Sequence, residues 1–273
     1  MDKRFRKQVI IAIIFGIILI LIGYLFHLLS KPAPTCFDGI KNQGEEEIDC
    51  GGPCPPCEIK RLSPIKIYWS KFVYTQGQFY YDLVTKIENP NPKYGTGNLP
   101  YEFKLFNQKG EEVANYEGST YILPSQTKYV IKTKLFSPEK AKKIEFKIKD
   151  FQWQQLKKDF KKPYLLIRNK KYYSENIENA FSQASGVVYN DSEFDFDQVK
   201  INIILFDKNG RIVGLNQTDM QTLLSKENRY FVTKWFYKIP EEVSSMEVEP
   251  ETNIFKNDNF MRQYGVMEKF KEY

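Results

Sequence analysis

The sequence predicts an all-β protein, with two immunoglobulin-like or fibronectin-like antiparallel β-sandwiches behind one N-terminal transmembrane α-helix. Three observations lead to this fold class. Residues 8–30 are almost entirely apolar, and about 20 apolar residues suffice to cross a bilayer as one helix. The chain beyond them alternates apolar and polar residues in short segments separated by Pro, Gly and Asn, which is typical of strands and turns. Several of these segments recur about 100 residues later, which indicates a duplicated domain.

Residues 8–30 form the predicted membrane anchor, because a helix satisfies its own backbone hydrogen bonds in lipid. Residues 1–7 are a basic tail with four Lys or Arg side chains. Basic residues beside a span stay in the cytoplasm, so we predict that the N-terminus lies inside and that the bulk of the chain is extracellular or periplasmic. A cleaved signal peptide is the alternative, but its apolar core would be shorter, and prolines follow this one. We therefore expect a single-pass anchor in the cell membrane.

Residues 31–61 contain all the cysteines of the chain, and we predict that they form a stalk held by disulfides. The cysteines are Cys36, Cys50, Cys54 and Cys57. An even number of clustered cysteines outside the cytoplasm is typical of disulfides. Pro55 and Pro56 favour an extended backbone between the last two cysteines, which would hold them too far apart to bond to each other. The other two connectivities remain, and the sequence leaves the choice between them open.

Other uses of this stalk are less favoured. The cysteine spacing suits a zinc site, but an oxidising compartment disfavours free thiolates. A redox pair of Cys54 and Cys57 would make the protein a thiol-disulfide oxidoreductase, but the prolines between them and the missing helix pattern after them argue against it. The acidic loop at 38–49 offers oxygen ligands for calcium, although Ile40 breaks the EF-hand order. We therefore predict no metal, no cofactor and no catalytic residue here, and leave calcium open.

The stalk also resembles a short cysteine module found in many bacterial and archaeal surface proteins. Its pattern is Cys, Asp-Gly, Asn, Glu, then Asp-Cys-Gly-Gly and two more cysteines. The matching positions are Cys36, Asp38, Gly39, Asn42, Glu45, Asp49, Cys50, Gly51, Gly52, Cys54 and Cys57. The resemblance implies an extracytoplasmic spacer that carries disulfides.

Two predicted sandwiches follow, at residues 62–155 and 156–250. The segment Leu105–Gly110 reads as a strand end and a tight turn, and Leu205–Gly210 repeats it. Other pairs, such as Asn89 with Asn190, keep the same offset of 100 or 101 residues. Alternation along these strands places Leu105 and Leu205 in the two cores. Because each repeat has enough chain for its own core, we expect two separate domains.

These repeats resemble a known group of domains. Phe103-Lys104-Leu105-Phe106-Asn107 is similar to the signature of the FxLyD domain, with Asn in place of its Asp, and Ile203–Asp207 is similar with Ile in place of its Phe. The Asn-rich loop around Asn89 is similar to the related type-two late-embryogenesis-abundant (WHy) domains. The resemblance implies immunoglobulin-like sandwiches without shared catalytic residues, and it suggests a stress-protective protein as one alternative function.

Composition limits the function further. The single histidine lies in the membrane segment, which removes Ser-His-Asp and Cys-His catalysis and His-ligated zinc from the outer domains. Residues 128–171 carry 15 basic and four acidic residues, a solvated face or a contact for an anionic polymer. The tail at 251–273 suits an amphipathic helix. We therefore predict a non-enzymatic binding or scaffold protein. Its partners would be the bilayer, through residues 8–30, and a cell-envelope protein or anionic polymer, but not nucleic acid.

Overall fold

The computed structural model describes residues 3–29, 35–75, 79–174 and 179–266, which fall into two compact units. The first ends at Arg61 and the second begins at Leu62. The first unit contains helix α1, Lys3–Leu29, then the cysteine module and a 3₁₀ turn at Cys57–Arg61. Its segment Arg6–Phe26 has a mean hydropathy of 3.2 and is long and apolar enough to cross a membrane.

The second unit begins with a sandwich of antiparallel strands. The strands are β1 Lys66–Tyr74, β2 Tyr80–Glu88, β3 Tyr94–Phe106, β4 Glu112–Ile122, β5 Thr127–Phe136, β6 Lys143–Ile148 and the short β7 Gln154–Gln155. One sheet has the order β1-β2-β5. The other has the order β4-β3-β6, and β7 pairs with the start of β3. This first sandwich encloses a core that includes Leu83, Phe103 and Leu105.

A second sandwich follows with the same strand order. Its strands are β8 Leu165–Tyr173, β9 Ser182–Asn190, β10 Phe196–Phe206, β11 Ile212–Leu223, β12 Asn228–Trp235 and β13 Ser245–Glu251. The sheets have the orders β8-β9-β12 and β11-β10-β13. Each strand takes the place of one in the first sandwich, so β9 corresponds to β2 and β10 to β3. The predicted fold class, two antiparallel β-sandwiches after an N-terminal apolar helix, is confirmed.

The two cores contain the residues that alternation predicted. Leu105 lies in the first core and Leu205 in the second, and neither has any exposed surface. The second core also contains Trp235, which is 1% exposed, and Leu123, which comes from the loop after β4. Burial of each leucine is confirmed. That the two sandwiches fold as separate domains stays a prediction.

The hairpins at the ends of β3 and β10 are closed by equivalent turns. The Asn107 carboxamide oxygen and the Asp207 carboxylate each accept a hydrogen bond from the backbone N–H two residues on, at 2.9 and 2.8 Å. Gly110 and Gly210 follow with φ of +83° and +72°, a left-handed conformation that favours glycine. The tight turns expected after Leu105 and Leu205 are therefore present.

Asn89 and Asn190 hold another corner that is alike in the two sandwiches, where β2 leads to β3 and β9 to β10. Both side chains are fully buried. Asn89 Nδ2 donates to the carbonyl of Tyr94 at 2.6 Å, and Asn190 Nδ2 donates to that of Phe194 at 2.7 Å. Each Nδ2 also donates to a carbonyl just after the next hairpin, that of Leu123 after β4 or of Leu224 after β11. Because each amide satisfies buried backbone carbonyls, we do not expect another polar residue to replace either asparagine.

The C-terminal segment is only partly helical within the described residues. A 3₁₀ turn at Ile254–Lys256 leads to helix α2, Asp258–Tyr264, and Asn257 caps it by accepting from Phe260 N at 2.9 Å. Phe260 and Tyr264 are buried in the second core, so this segment docks on the second sandwich. The sequence predicted one helix within 251–273, whereas up to residue 266 only Asp258–Tyr264 is α-helical. Residues 267–273 lie outside the described part.

Candidate functional site: the cysteine module and the interface between the sandwiches

The cysteine module contains two interleaved disulfides. Cys36 bonds to Cys54, and Cys50 bonds to Cys57, with Cα–Cα distances of 5.5 and 4.9 Å. Disulfides were expected here, and one of the two connectivities left open by the sequence is the one formed. Cys54 and Cys57 are therefore not bonded to each other. Since all four sulfurs are in disulfides, they are not the thiolates that a zinc site needs.

Acidic side chains hold the loop of this module. Glu45 is 5% exposed, and its carboxylate accepts from the backbone N–H groups of Asn42 and Asp49 at 3.2 and 3.1 Å. Asp38 accepts from the Asn42 side chain and from backbone N–H groups, and these bonds lower the pKa of Asp38. The Asp38 and Glu45 carboxylates thus serve as hydrogen-bond acceptors within the loop.

The second candidate site is the interface where the two sandwiches pack. We call the outer side of the β1-β2-β5 sheet the covered face and the outer side of the β11-β10-β13 sheet the acidic face. The covered face contributes Trp69, Val73, Val84, Tyr129 and Ile131. The acidic face contributes Ile204, Phe206, Ile212 and Leu215, with Glu247, Glu249 and Glu251 on its edge strand. Sheet-on-sheet packing therefore joins the two sandwiches.

Strand β10 of this interface has apolar residues on both of its faces. Ile203 and Leu205 point into the second core, whereas Ile204 between them points to the first sandwich, and all three are fully buried. The corresponding residue of the first sandwich is Lys104, so strand β3 alternates and β10 does not. Sequence reasoning missed this site. The signal was the continuous apolar run in β10, because a strand buried on both faces loses its alternation.

A buried ion pair crosses this interface. Lys128 of β5 and Glu251 of β13 form a salt bridge, with 0% and 5% of their side chains exposed. Lys128 Nζ also lies 3.2 Å from Thr120 Oγ1 and 3.9 Å from the ring centre of Tyr121. Removing one partner of such a pair leaves an uncompensated charge in a medium that solvates it poorly, so loss of either side chain should destabilise the interface.

Two further carboxylates of the acidic face bind Tyr129. Its backbone N–H donates to Glu249 at 3.1 Å and its hydroxyl donates to Glu247 at 3.1 Å. Burial raises the pKa of Glu249, the neighbouring charge of Glu251 raises it further, and Lys128 opposes both effects. This edge of the interface therefore places three carboxylates against one buried lysine and a tyrosine.

Asp82 marks the other side of the interface. It is 1% exposed and accepts from the Tyr237 hydroxyl at 2.9 Å and from the Lys134 backbone N–H at 2.8 Å. Burial raises the pKa of Asp82 to about 6, although both hydrogen bonds oppose the shift. The charge state of the interface can therefore change in mildly acidic solution.

A polar cleft of about 610 Å³ lies beside the ion pair, between the first sandwich and strands β10 and β13 of the second. Its lining includes Asn98, Ser119, Gln198, Lys200 and Asn253 around Glu251. These groups donate and accept hydrogen bonds. Asn253 itself bonds the Gly97 carbonyl at 2.9 Å, so part of the lining holds the two sandwiches together.

The lysine-rich stretch expected to form a solvated face or an anion contact is partly neutralised within the fold. Lys143 pairs with Glu145 at 2.7 Å, and Lys149 pairs with Glu117 at 2.6 Å. Lys128 is buried in the interface. These three cations have local carboxylate partners, and the choice between a solvated face and a contact for an anionic polymer stays a prediction for the rest of the stretch.

Comparison with known proteins adds little to this geometry. No family model and no curated protein matches the chain. Among solved structures, the transglutaminase of red sea bream is 6% identical, with 71% of this chain and 30% of that one covered and a TM-score of 0.22. The C-terminal globular domain of an oligosaccharyltransferase from Pyrococcus abyssi is 12% identical, with 68% and 46% covered and a TM-score of 0.21. The chain spans less than half the length of either structure.

Proposed function

We propose that this protein is a single-pass membrane protein that displays two joined β-sandwiches outside the cytoplasm as a non-enzymatic binding or scaffold module. The interface between the sandwiches carries this proposal. Apolar packing and the Lys128–Glu251 pair close the two sheet faces against each other, so the remaining outer surfaces are where partners would bind. The apolar helix and the disulfides of the cysteine module fit an anchored protein with an oxidising outer compartment.

The relationship to FxLyD-like and WHy-related domains is part of this proposal. The equal strand orders of the two sandwiches support it, as do the buried Asn89 and Asn190 and the matching turns at Asn107 and Asp207. Duplication of one ancestral sandwich explains these equivalences. The alternative of a thiol oxidoreductase is disfavoured because Cys54 has Cys36, and not Cys57, as its partner.

Topology is the first test of the proposed function. A reporter that works only outside the cytoplasm, fused after Tyr273, should be active, because the basic residues before the helix keep the N-terminus inside. Protease added to cells with a permeabilised outer envelope and an intact cytoplasmic membrane should digest residues 62–273. Protection of these residues in such cells, with digestion after lysis of the cytoplasmic membrane, would contradict the proposed orientation.

A second test separates the scaffold from the oxidoreductase. The full chain in detergent should lack disulfide-reductase activity, and Cys57→Ser should leave that result unchanged. Activity that disappears in Cys57→Ser would replace the scaffold proposal with the enzyme. Crosslinking in the native membrane, followed by identification of the crosslinked proteins, would then define the partners of the scaffold.

A further inference from the structure

The interface between the two sandwiches indicates where a second interface, with another protein, would form. The covered face of the first sandwich has an equivalent on the second sandwich, the outer side of the β8-β9-β12 sheet, which we call the open face. Its rows, read across the three strands, are Leu166, Tyr189 and Asn228; Arg168, Val187 and Tyr230; Lys171, Ser185 and Val232; and Tyr173, Gln183 and Lys234. Within the described part of the chain, no strand of the first sandwich packs on this sheet.

The register shows how closely the two faces correspond. Tyr230 lies opposite Val187 as Tyr129 lies opposite Lys86, and Val232 takes the place of Ile131 in the next row. The exposed fraction differs sharply, because Tyr129 is 7% exposed and Tyr230 is 60% exposed. The open face thus keeps the tyrosine and the β-branched residue that contact the acidic face within the chain.

The charge of the open face indicates what it would bind. Arg168, Lys171 and Lys234 are its charged residues among the rows given above, and none of those residues is a carboxylate. Arg168 stacks on the Tyr189 ring, with its guanidinium carbon 4.2 Å from the ring centre. The covered face likewise has cations, Lys71 and Lys86, and it receives a face edged with glutamates. The complementary surface is therefore apolar in its centre and acidic at its edge.

A second copy of this chain does not offer such a surface. Its acidic face is already buried, and two open faces would bring like charges together. The remaining equivalent, the outer side of the β4-β3-β6 sheet, we call the mixed-charge face. It has Lys104 and Asn115 where the acidic face has Ile204 and Leu215, and Lys104 pairs with Glu112 at 2.9 Å. Burying that lysine and its partner against the open face would cost more than it gained.

We propose that the open face docks a β-sandwich of a different protein, whose sheet presents an apolar centre and an edge of carboxylates, in the manner of the acidic face. The proposal rests on the scaffold function only in taking the partner to be a separate protein. It concerns one sheet of the second sandwich and does not depend on membrane orientation.

The mixed-charge face supplies a probe for this proposal. Lys104→Ile, Glu112→Ile and Asn115→Leu recreate the apolar centre of the acidic face, and Lys147→Glu restores a carboxylate where Glu249 lies. Phe106 and Glu145 already lie where Phe206 and Glu247 do. Adding Tyr230→Glu blocks the open face of this donor chain. The donor and the wild-type acceptor, both full length in detergent micelles, are mixed and measured by analytical ultracentrifugation against each chain alone.

We expect a one-to-one donor–acceptor complex. Its dissociation constant should rise at least tenfold when the acceptor carries Tyr230→Glu or, independently, Val232→Lys. Tyr80→Glu, at an exposed aromatic residue on the first sandwich, should leave binding unchanged. Thermal unfolding of each acceptor confirms that it is folded. Absence of a complex with wild type, or equal binding by the blocked acceptors, would overturn the proposal.

Two further titrations test whether the open face instead binds an anionic polymer or an anionic membrane. Poly-L-glutamate and vesicles containing an anionic lipid are titrated onto wild type and onto the Tyr230→Glu variant. Binding of either probe without any donor complex would assign the face to anionic polymers or membranes and overturn the proposal. Failure of the topology test in cells, with the donor complex still formed, would reject the orientation alone.

Discussion

The covered face and the open face are the same side of the same kind of sheet, yet one is buried and the other is not. Tyr129 on the covered face is 7% exposed, and Tyr230 at the matching position of the open face is 60% exposed. The strand order is equal in the two sandwiches, so the fold does not decide the difference. The covered face has an opposing sheet, in which Ile204 and Leu215 are apolar, whereas the mixed-charge face of the first sandwich has Lys104 and Asn115 at these positions. These two positions, together with Ile212 where the first sandwich has Glu112, distinguish the acidic face from the mixed-charge face.

Removing the buried ion pair should lower the free energy of unfolding more than any other change considered. Lys128→Ala strands Glu251 without its partner, and we expect the free energy of unfolding to fall by about 3–5 kcal/mol. Urea unfolding of the full chain in detergent measures it. The matched control is Lys104→Ala, which removes a pair on the mixed-charge face and should cost about 0–1 kcal/mol. Equal losses for the two variants would contradict a buried role for Lys128.

Core leucines test whether the interface joins the two cores. Leu105→Ala and Leu205→Ala should each lower the free energy of unfolding by about 2–5 kcal/mol, because both are fully buried. If each sandwich is a separate domain, calorimetry shows two transitions and each variant moves only one. A single transition that both variants shift equally would mean that the interface fuses the cores. Lys109→Ala, at an exposed hairpin turn, should change stability by about 0.5 kcal/mol at most.

The pH dependence of stability tests the interface through Asp82. Its pKa is about 6 in the folded protein and near its ordinary value of about 3.9 when unfolded, so the folded state binds more protons between these values. Stability from this group is therefore fully present below about pH 4 and is lost as pH rises through about 6. The loss should be about 3 kcal/mol.

The Asp82→Asn variant is the check on that slope. Denaturant midpoints measured from pH 4 to 7 should fall less steeply than in wild type. Some slope should remain, because burial also raises the pKa of Glu249 and acts with the same sign. An unchanged slope in Asp82→Asn would show that this carboxyl does not titrate in the window.

The smallest effect comes from a matched pair of hydroxyls. Tyr129→Phe removes the bond to Glu247 and should cost about 0.5–1.5 kcal/mol. Tyr230→Phe, at the equivalent position of the open face, should change the free energy of unfolding by about 0.5 kcal/mol at most. Thermal melts of the two variants side by side measure the difference. A loss in Tyr230→Phe as large as that in Tyr129→Phe would show that the open face is already covered.

Sequence reasoning predicted the inner faces and not the outer ones. Leu105 and Leu205 follow a period of two, which places them in a core whatever the neighbouring domain does. Ile204 follows from the same register, but its burial depends on residues of the first sandwich, from Val73 to Ile131, that are distant in the chain. No local pattern indicates which surface will cover it. The ion pair of Lys128 with Glu251 is harder still, since a lysine in a lysine-rich stretch reads as exposed.

The disulfides show a similar limit. Clustering of four cysteines predicted bonds, and the prolines between Cys54 and Cys57 removed one connectivity. The choice between the remaining two depends on how the acidic loop turns around Glu45, which accepts backbone N–H groups from both of its sides. Spacing alone does not contain that information.

The interleaved disulfides also determine how tension would pass along the chain. A pull between α1 and the sandwiches enters the module at Cys36 and crosses directly to Cys54 through their bond, so the residues between them carry no load. The separation of 18 residues is thus stored length. Reducing the bonds would release roughly 60 Å of extensible chain. With both disulfides formed, the module cannot extend under tension between Cys36 and Cys54. When they are reduced, the same residues can extend.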